Sequence, residues 1–298
     1  MNRTSRSVVG VLLGFAVVAC LAAAAQATVP GKNGLIVFLH PIGGRDQIYT
    51  MHADGTHVHQ LTNFTDSAAS DVSWSADGKR LAFARDFAVG KPDEHLDIYT
   101  MNADGTGLHA MGLKGLNGRP LWFPDGRRLL FSRIGGLWVI PAAGGTPHQV
   151  LKIAGDYDDG AFSPDGKQVV VLRHQKGKGA LFIATLGNGS MKQITSWNLD
   201  ANEKVDWSPD GSRILSRNTH EIFTVRPDGS GLTVLFRGHD YCSDSFSPDG
   251  RKVAFIDHCS TEGASSEILT MNLDGTDVAR IPNVHGHWVG WAPAVTAP

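Results

Sequence analysis

Acidic and basic side chains recur at corresponding places along this sequence, at the ends of apolar runs. Carboxylates, guanidinium groups and imidazoles gathered at one place could bind a cation, a sugar or the side chains of a partner protein. They could also form exposed salt bridges that contribute little to stability. The candidate residues are Asp71, Arg85, Arg119, Arg133, Asp158, Asp159, Arg173, Glu203, Asp244, His285 and His287.

Counting residues across the intervening turns places some of these charges in pairs. We expect Arg85 to lie near Asp71, and Arg173 near Asp158 and Asp159. Each pair would then be a rim salt bridge or one wall of a polar funnel. The sequence leaves both interpretations open.

Metal binding is an alternative at two places. The run from Asp156 to Gly160 resembles a calcium loop, but the Glu that closes an EF-hand is absent at the required spacing. His285 and His287 are the one histidine pair that we consider as ligands. We expect no cofactor, and a bound calcium or other divalent cation at this site is the alternative.

Motifs for common catalytic chemistry are absent from the sequence. It contains no Gly-x-Ser-x-Gly nucleophile elbow and no His-Glu-x-x-His zinc motif. The formal net charge of −2 argues against a nucleic-acid partner bound through a basic surface. We therefore lean away from an enzyme.

An internal repeat supplies the elements that must position these residues. An aromatic residue followed by an Asp-Gly turn recurs with the glycine at Gly78, Gly126, Gly166, Gly211 and Gly250, and a shortened copy ends near Trp291. A second turn, Asp-Gly-Thr or a variant of it, alternates with the first. Repeats of 40–50 residues are typical of propeller blades.

Each repeat reads as four strands, A to D, with the aromatic residue ending strand A. The Asp-Gly turns, which we expect to be of type I′, join A to B and C to D. The B–C and D–A connections vary in length and lie on the opposite face. We therefore expect binding residues there, around one mouth of the central channel.

Ring closure can also be predicted. The residues from Gly34 to Phe38 resemble a strand B, and their missing strand A is supplied near Trp291. The predicted fold is an all-β, six-bladed propeller of four-stranded antiparallel blades, in which the C-terminal strand completes the first blade and leaves no open edge.

The first 27 residues read as a secretory signal peptide. Arg3 and Arg6 precede an apolar run that ends in Ala25-Gln26-Ala27, a small-x-small cleavage pattern. Alternatives are a permanent N-terminal anchor, or lipidation at Cys20 after a lipobox-like Val-Val-Ala. The predicted domains are thus 1–27, signal peptide, and 28–298, propeller, with no membrane span after cleavage.

Two cysteines follow the signal peptide, Cys242 and Cys259. If Phe246 faces Phe255 across an A–B hairpin, the same register places Cys242 opposite Cys259. Cross-strand positions are close enough for a disulfide, which persists in exported proteins. We therefore predict this disulfide, with a metal site as the less favoured alternative.

The repeat resembles a known family. Phe-Ser-Pro-Asp-Gly-Arg-Lys-Val-Ala-Phe and Ile-Tyr-Thr-Met-Asn-Ala-Asp-Gly-Thr are similar to the WD40-like PD40 repeat of TolB-type propellers, over about residues 31–293. The resemblance implies a propeller-only, exported relative of TolB that acts as a binding module.

Two functions remain open. In the first, the protein is a periplasmic, cell-envelope or secreted scaffold, expected as a monomer, that recognises a protein or cell-wall component through its loop-rich face. In the second, it is a metal-assisted propeller enzyme of the lyase or lactonase type, using carboxylates and histidines at the channel mouth.

Overall fold

The computed structural model describes residues 31–87, 94–153, 157–238, 240–258 and 266–295. They form six four-stranded antiparallel sheets arranged as the blades of a propeller. The predicted signal peptide and Cys20 lie outside the described residues. Within the described residues, no helix is long and apolar enough to cross a membrane.

The strands follow the chain order, except that the last strand joins the first blade. Blade 1 consists of β24 (Val289–Pro293), β1 (Asn33–Ile42), β2 (Arg45–Met51) and β3 (His59–Gln60). Blade 2 consists of β4 (Ser67–Trp74), β5 (Arg80–Phe87), β6 (His95–Asn102) and β7 (His109–Ala110). Blade 3 consists of β8 (Asn117–Trp122), β9 (Arg128–Arg133), β10 (Gly136–Pro141) and β11 (His148–Lys152).

The remaining blades repeat this arrangement. Blade 4 consists of β12 (Tyr157–Phe162), β13 (Gln168–Gln175), β14 (Lys178–Thr185) and β15 (Met191–Gln193). Blade 5 consists of β16 (Asn202–Trp207), β17 (Ile214–Arg217), β18 (Glu221–Val225) and β19 (Thr233–Arg237). Blade 6 consists of β20 (Cys242–Phe246), β21 (Lys252–Asp257), β22 (Glu267–Asn272) and β23 (Ala279–His285).

The predicted fold and ring closure are confirmed. Strand β24 pairs antiparallel with β1, with Trp291 opposite Ile36 and Val289 opposite Phe38. The two ends of the propeller therefore share one sheet, and β1 is paired on both of its edges.

Apolar side chains fill the spaces between successive blades. Between blades 4 and 5, for example, Val170 and Leu181 pack with Trp207 and Phe223, all of them buried. Comparable clusters lie at the other blade boundaries, including the boundary between blades 6 and 1. Because each blade buries both faces only against its neighbours, the ring must be complete for the cores to form.

The Asp-Gly turns are built from their own side chains. In the A–B turn of blade 5, the Ser208 Oγ accepts the Arg213 N–H at 2.9 Å and donates to Asp210 at 2.7 Å. Ser75, Ser163 and Ser247 make the corresponding bonds in blades 2, 4 and 6. These serines and aspartates are therefore turn formers.

The predicted type I′ geometry of these turns is wrong. Type I′ requires positive φ at two central residues, whereas the turn from Ser75 to Arg80 has positive φ at Gly78 alone. There the Gly78 N–H donates to the Ser75 carbonyl, which closes a tight turn before the chain enters β5. Positive φ at both central residues occurs instead at Gly43-Gly44 and Lys176-Gly177, in two B–C hairpins.

The register proposed for the cysteines is also wrong. Phe246 faces Val253 rather than Phe255, because the Ser247 N–H bonds to the Lys252 carbonyl and closes the hairpin early. Cys242 consequently pairs with Ile256 after a register shift. Cys259 lies outside the described residues, so the disulfide stays a prediction, now without its register argument.

Replacing Ser208 by Ala should destabilise the fold by about 1 kcal/mol, because the partly buried Arg213 N–H loses its side-chain acceptor. Chemical denaturation measures the change in the free energy of unfolding. Ser212→Ala is the matched control, since this exposed serine bonds only to Asp210, and its effect should stay within about 0.5 kcal/mol. Equal effects of the two variants would contradict this account of the turn.

The same turns should make stability fall in acid. The hydrogen bond from Ser163 lowers the pKa of Asp165 below its ordinary 3.8, aided by the Lys167 N–H. A lowered folded-state pKa stabilises the fold above the unfolded value, and this contribution is lost as pH falls through the folded value.

Ser163→Ala should therefore raise the Asp165 pKa toward 3.8 and reduce the loss of stability below that pH. Carboxyl-carbon NMR titration measures the shift. Asp274, whose pKa is lowered by Thr276 in blade 6, is the internal reference and should not change. An unaltered Asp165 titration in the variant would refute the prediction.

Candidate functional site

The innermost strands carry an extra residue where they line the channel. In blades 2–6, the pairing of the first strand with the second has a register shift. The residues inside these β-bulges are Asp71 and Val72, Arg119 and Pro120, Asp158 and Asp159, Glu203 to Val205, and Ser243. Bulges redirect side chains and are common beside functional sites.

Three bulges contain a non-glycine residue with left-handed backbone. The φ angles are 53° at Asp71, 53° at Arg119 and 46° at Ser243. Each such residue costs about 1–3 kcal/mol of strain, and strain of this kind clusters at functional sites. The channel wall thus holds side chains that stability alone would not select.

Bulges of neighbouring blades bond to each other. The Asp71 Oδ2 accepts the Arg119 N–H at 3.1 Å, and the Ser73 Oγ donates to the Pro120 carbonyl at 2.6 Å. At the closure, Ser243 bonds to both the N–H and the carbonyl of Val289. Backbone groups that a bulge removes from the ladder are satisfied in this way by the next blade.

Asp206 joins blade 6 to blade 5. Its Oδ2 accepts the Phe246 N–H at 2.8 Å and the Ser245 hydroxyl at 3.2 Å. Its Oδ1 accepts the Trp207 N–H, and the Ser245 Oγ in turn accepts the Trp291 N–H. One buried carboxylate therefore fixes the inner strands of blades 5, 6 and 1 relative to each other.

Lys204 crosses the channel. From its bulge in β16, the Nζ atom donates to the Val289 carbonyl on β24, reaching past blade 6. The ammonium lies 4.9 Å from the centre of the Trp288 ring. The Trp288 indole N–H donates to the Val72 carbonyl at 3.1 Å, which holds this ring over the mouth.

The channel itself is narrow. Residues from all six inner strands, including Asp71, Arg119, Lys204 and Trp288, line a cavity of about 120 Å³. Pockets for drug-sized ligands usually measure roughly 300–1,000 Å³. The geometry suits contacts across the mouth better than enclosure of a whole sugar or similar ligand.

Comparison with known proteins agrees with this architecture. The family of TolB β-propeller domains, PD40, matches residues 109–295. The chain belongs to the PD40 family. A TolB homolog of Chlorobium luteolum is 30% identical over 210 residues, covering 68% of this chain and 46% of that protein. The chain thus spans less than half the length of this relative.

Solved structures share the propeller fold. TolB from Acinetobacter baumannii is 22% identical with a TM-score of 0.73, covering 89% of this chain and 68% of that one. An oligogalacturonate lyase in complex with manganese is 13% identical with a TM-score of 0.54, covering 84% of this chain and 74% of that one. At these identities the likeness concerns the fold alone.

In this PD40 propeller, the predicted site residues fall into separate groups. Asp71 and Arg119 lie in the channel wall. Asp158, Asp159 and Glu203 occupy the bulges of blades 4 and 5, although the structure describes only their backbone. Asp244, fully buried in β20, lies beneath the surface.

Unlike Arg119, the predicted residues Arg85, Arg133 and Arg173 do not line this cavity and instead stack on aromatic rings. Arg85 pairs with Asp66 at 2.7 Å, not with Asp71, because the bulge moves Asp71 toward blade 3. Its guanidinium lies 4.0 Å from the centre of the Phe64 ring. Arg133 and Arg173 stack over Trp138 and Phe182 in the same way. Arg173 faces Tyr157 across its ladder, while Asp158 and Asp159 lie in the adjoining bulge.

The histidines lie at the ring closure. The His287 Nε2 lies 2.7 Å from the Asp46 Oδ2. The His40 Nδ1 lies 2.9 Å from the His285 carbonyl oxygen. The His285 Nδ1 lies 3.2 Å from the Ser266 carbonyl. These contacts connect the last loop to blades 1 and 6, so the pair has a structural position at the seam.

The acids near the mouth influence one another. Burial raises the pKa of Asp86, and the negative charges of Glu94 and Asp71 raise it further. Within the described residues, no three His, Cys, Asp or Glu side chains are arranged to hold a metal ion.

Sequence reasoning missed Lys204, Asp206 and Trp288. Lys204 belongs to the polar run Asn202-Glu203-Lys204, which interrupts the alternation of polar and apolar residues expected in a strand, and Asp206 follows after Val205. That interruption was the available signal, since a bulge places an extra polar residue inside a strand.

Asp206→Ala should destabilise the propeller by about 3 kcal/mol, because the Phe246 N–H is left buried without its charged acceptor. Urea denaturation measures the loss. Asp66→Ala removes an exposed carboxylate from the Arg85 pair and should cost no more than about 1 kcal/mol. A cost at position 206 as small as that at position 66 would show that the blades do not depend on this network.

Proposed function

We propose that the protein is an exported, non-enzymatic binding propeller that recognises a protein or cell-envelope component through its loop-rich face and channel mouth. The strained, polar bulges of the inner strands carry this proposal. They place Asp71, Arg119 and Lys204 around one opening at an energetic cost to the fold.

The difference between the two faces supports it. The turn face is the face that carries the A–B and C–D turns. There, side chains such as Asp54 and Asp274 accept hydrogen bonds from threonines of their own turns. On the loop face, connections differ between blades, as binding loops on a rigid scaffold usually do. The narrow channel favours a partner that lies across the mouth.

Membership in the PD40 family supports a binding role, and the similarity to a TolB homolog supports export to the cell envelope. Removal of residues 1–27 as a signal peptide and the Cys242–Cys259 disulfide belong to this proposal. Export after signal-peptide removal would place the chain in an oxidising compartment, where a disulfide persists.

Arg119→Gly separates binding from folding. Glycine relieves the left-handed strain at this position, so stability should remain equal or rise by about 1 kcal/mol, whereas partner binding should fall. His57→Gly is the matched control, because His57 has a φ of 54° on the opposite face. It should relieve similar strain and leave binding unchanged.

Binding is measured by photo-cross-linking in envelope extracts, with the probe placed at Lys176 on the loop face or at Asp104 on the turn face. We expect specific adducts from the loop face that the Arg119→Gly change reduces at least ~10-fold. Adducts confined to the turn face, or adducts unaffected by Arg119→Gly, would overturn the proposal.

A further inference from the structure

Among the residues that the structure describes, the loop end of blade 3 exposes two large apolar side chains, whereas the loop end of blade 1 exposes Ile42 alone. Ile134 is 83% exposed, the highest value among the large hydrophobic side chains that the structure describes. It occupies the first turn position between β9 and β10, where Arg133 pairs with Gly136. The corresponding turn positions in blades 1 and 4 are Gly43 and Lys176.

A second exposed residue lies beside it. Asn117 pairs with Arg133, so Leu116 and Ile134 each lie one residue beyond this pair, at the end of the same ladder. Leu116 is 47% exposed and also bridges to Leu96 of blade 2. Both residues adjoin the same backbone pair, so we group their exposed side chains as one apolar ridge at this end of blade 3.

Basic groups surround this ridge. Lys114 is exposed, and its carbonyl accepts from Arg133 at 3.4 Å. Lys152 is exposed and pairs through its backbone with Gly136, directly beside the turn. Within the described part of the chain, neither lysine makes an ion pair. The Arg133 guanidinium is held over the Trp138 ring, 5.2 Å from its centre.

We propose that this ridge docks a segment of a partner protein that carries an apolar anchor flanked by acidic residues. The apolar residues Leu116 and Ile134 would contact the anchor, and the surrounding Lys114, Lys152 and Arg133 would contact the acids. Together these five residues are called the Ile134 ridge. Apolar contact area with a surrounding ring of complementary charge is the usual composition of a binding hot spot. The proposal rests on the binding role given above and names the chemistry of the partner.

An acidic protein segment fits better than an anionic membrane. Asp86 and Glu94 lie on the adjoining end of blade 2; burial raises the pKa of Asp86, and the negative charge of Glu94 raises it further. The whole chain has a net charge of −2. An extended anionic surface would meet these acids, whereas a short segment on blade 3 would avoid them.

The test uses fluorescein-labelled nonapeptides in which Asp and Glu alternate with Leu and Phe. Matched peptides replace the acids by Lys or the apolar residues by Ser. Fluorescence anisotropy with the full chain gives the dissociation constants. The acidic, apolar peptide alone should bind, and binding should weaken as salt rises from about 50 to about 200 mM.

Ile134→Ser and the double change Lys114→Glu, Lys152→Glu should each weaken binding at least ~10-fold. The controls Ile42→Ser and Lys176→Glu alter the same residue types at the loop ends of blades 1 and 4, and should stay within about twofold. Far-UV circular dichroism and thermal unfolding verify that all variants fold.

Absence of binding by the acidic peptide, or equal losses in ridge and control variants, would overturn the proposal. So would binding to vesicles of phosphatidylcholine and phosphatidylglycerol that Ile134→Ser abolishes without any peptide binding. If loop-face adducts sensitive to Arg119→Gly persist while the ridge variants behave as wild type, the ridge assignment fails and the proposed function stands.

Discussion

The hydrogen-bond ladder between β24 and β1 is the interaction on which the rest of the structure depends. It joins residues more than 250 positions apart, as in the pairing of Ile36 with Trp291. Each blade buries both of its faces only against its neighbours, so all of the cores require a complete ring. Opening this ladder would expose two sheet edges and the apolar surfaces between blades 6, 1 and 2.

Closing the ring brings the inner strands close together, and the bulges follow from that crowding. An inner strand has another inner strand on either side and the channel in front of it. A bulge frees backbone groups, and the neighbouring blade satisfies them, as Asp71 does for Arg119. The same local irregularity that joins the blades thereby directs polar side chains into the mouth.

Much of the fold could be predicted from the sequence because the turns that separate its strands are formed by local residues. An Asp-Gly turn ends one strand and begins another wherever it occurs, and its bonds stay within a few residues, as from Ser208 to Arg213. The repeat then implies blades, and the split first blade implies closure. These inferences needed no knowledge of distant contacts.

The site was less predictable because one extra residue changes every position that follows it in a strand. Asp71 and Arg119 were recognisable as polar residues near a mouth, but the bulge decides their partners. Without it, counting across the hairpin wrongly paired Asp71 with Arg85. A similar miscount placed Phe246 opposite Phe255, because the closing bond of that turn depends on backbone geometry rather than residue type.

The two faces of the ring differ in what they can still bind. Turn-face aspartates such as Asp104 and Asp228 accept two hydrogen bonds at Oδ1 from the Thr or Ser two residues later, so this oxygen stabilises the turn itself. Loop-face groups cross between blades or stack on strand residues, and their identity changes from blade to blade. Selection for different partners can therefore act on the loop face while the turns, and with them the PD40 repeat, remain the same.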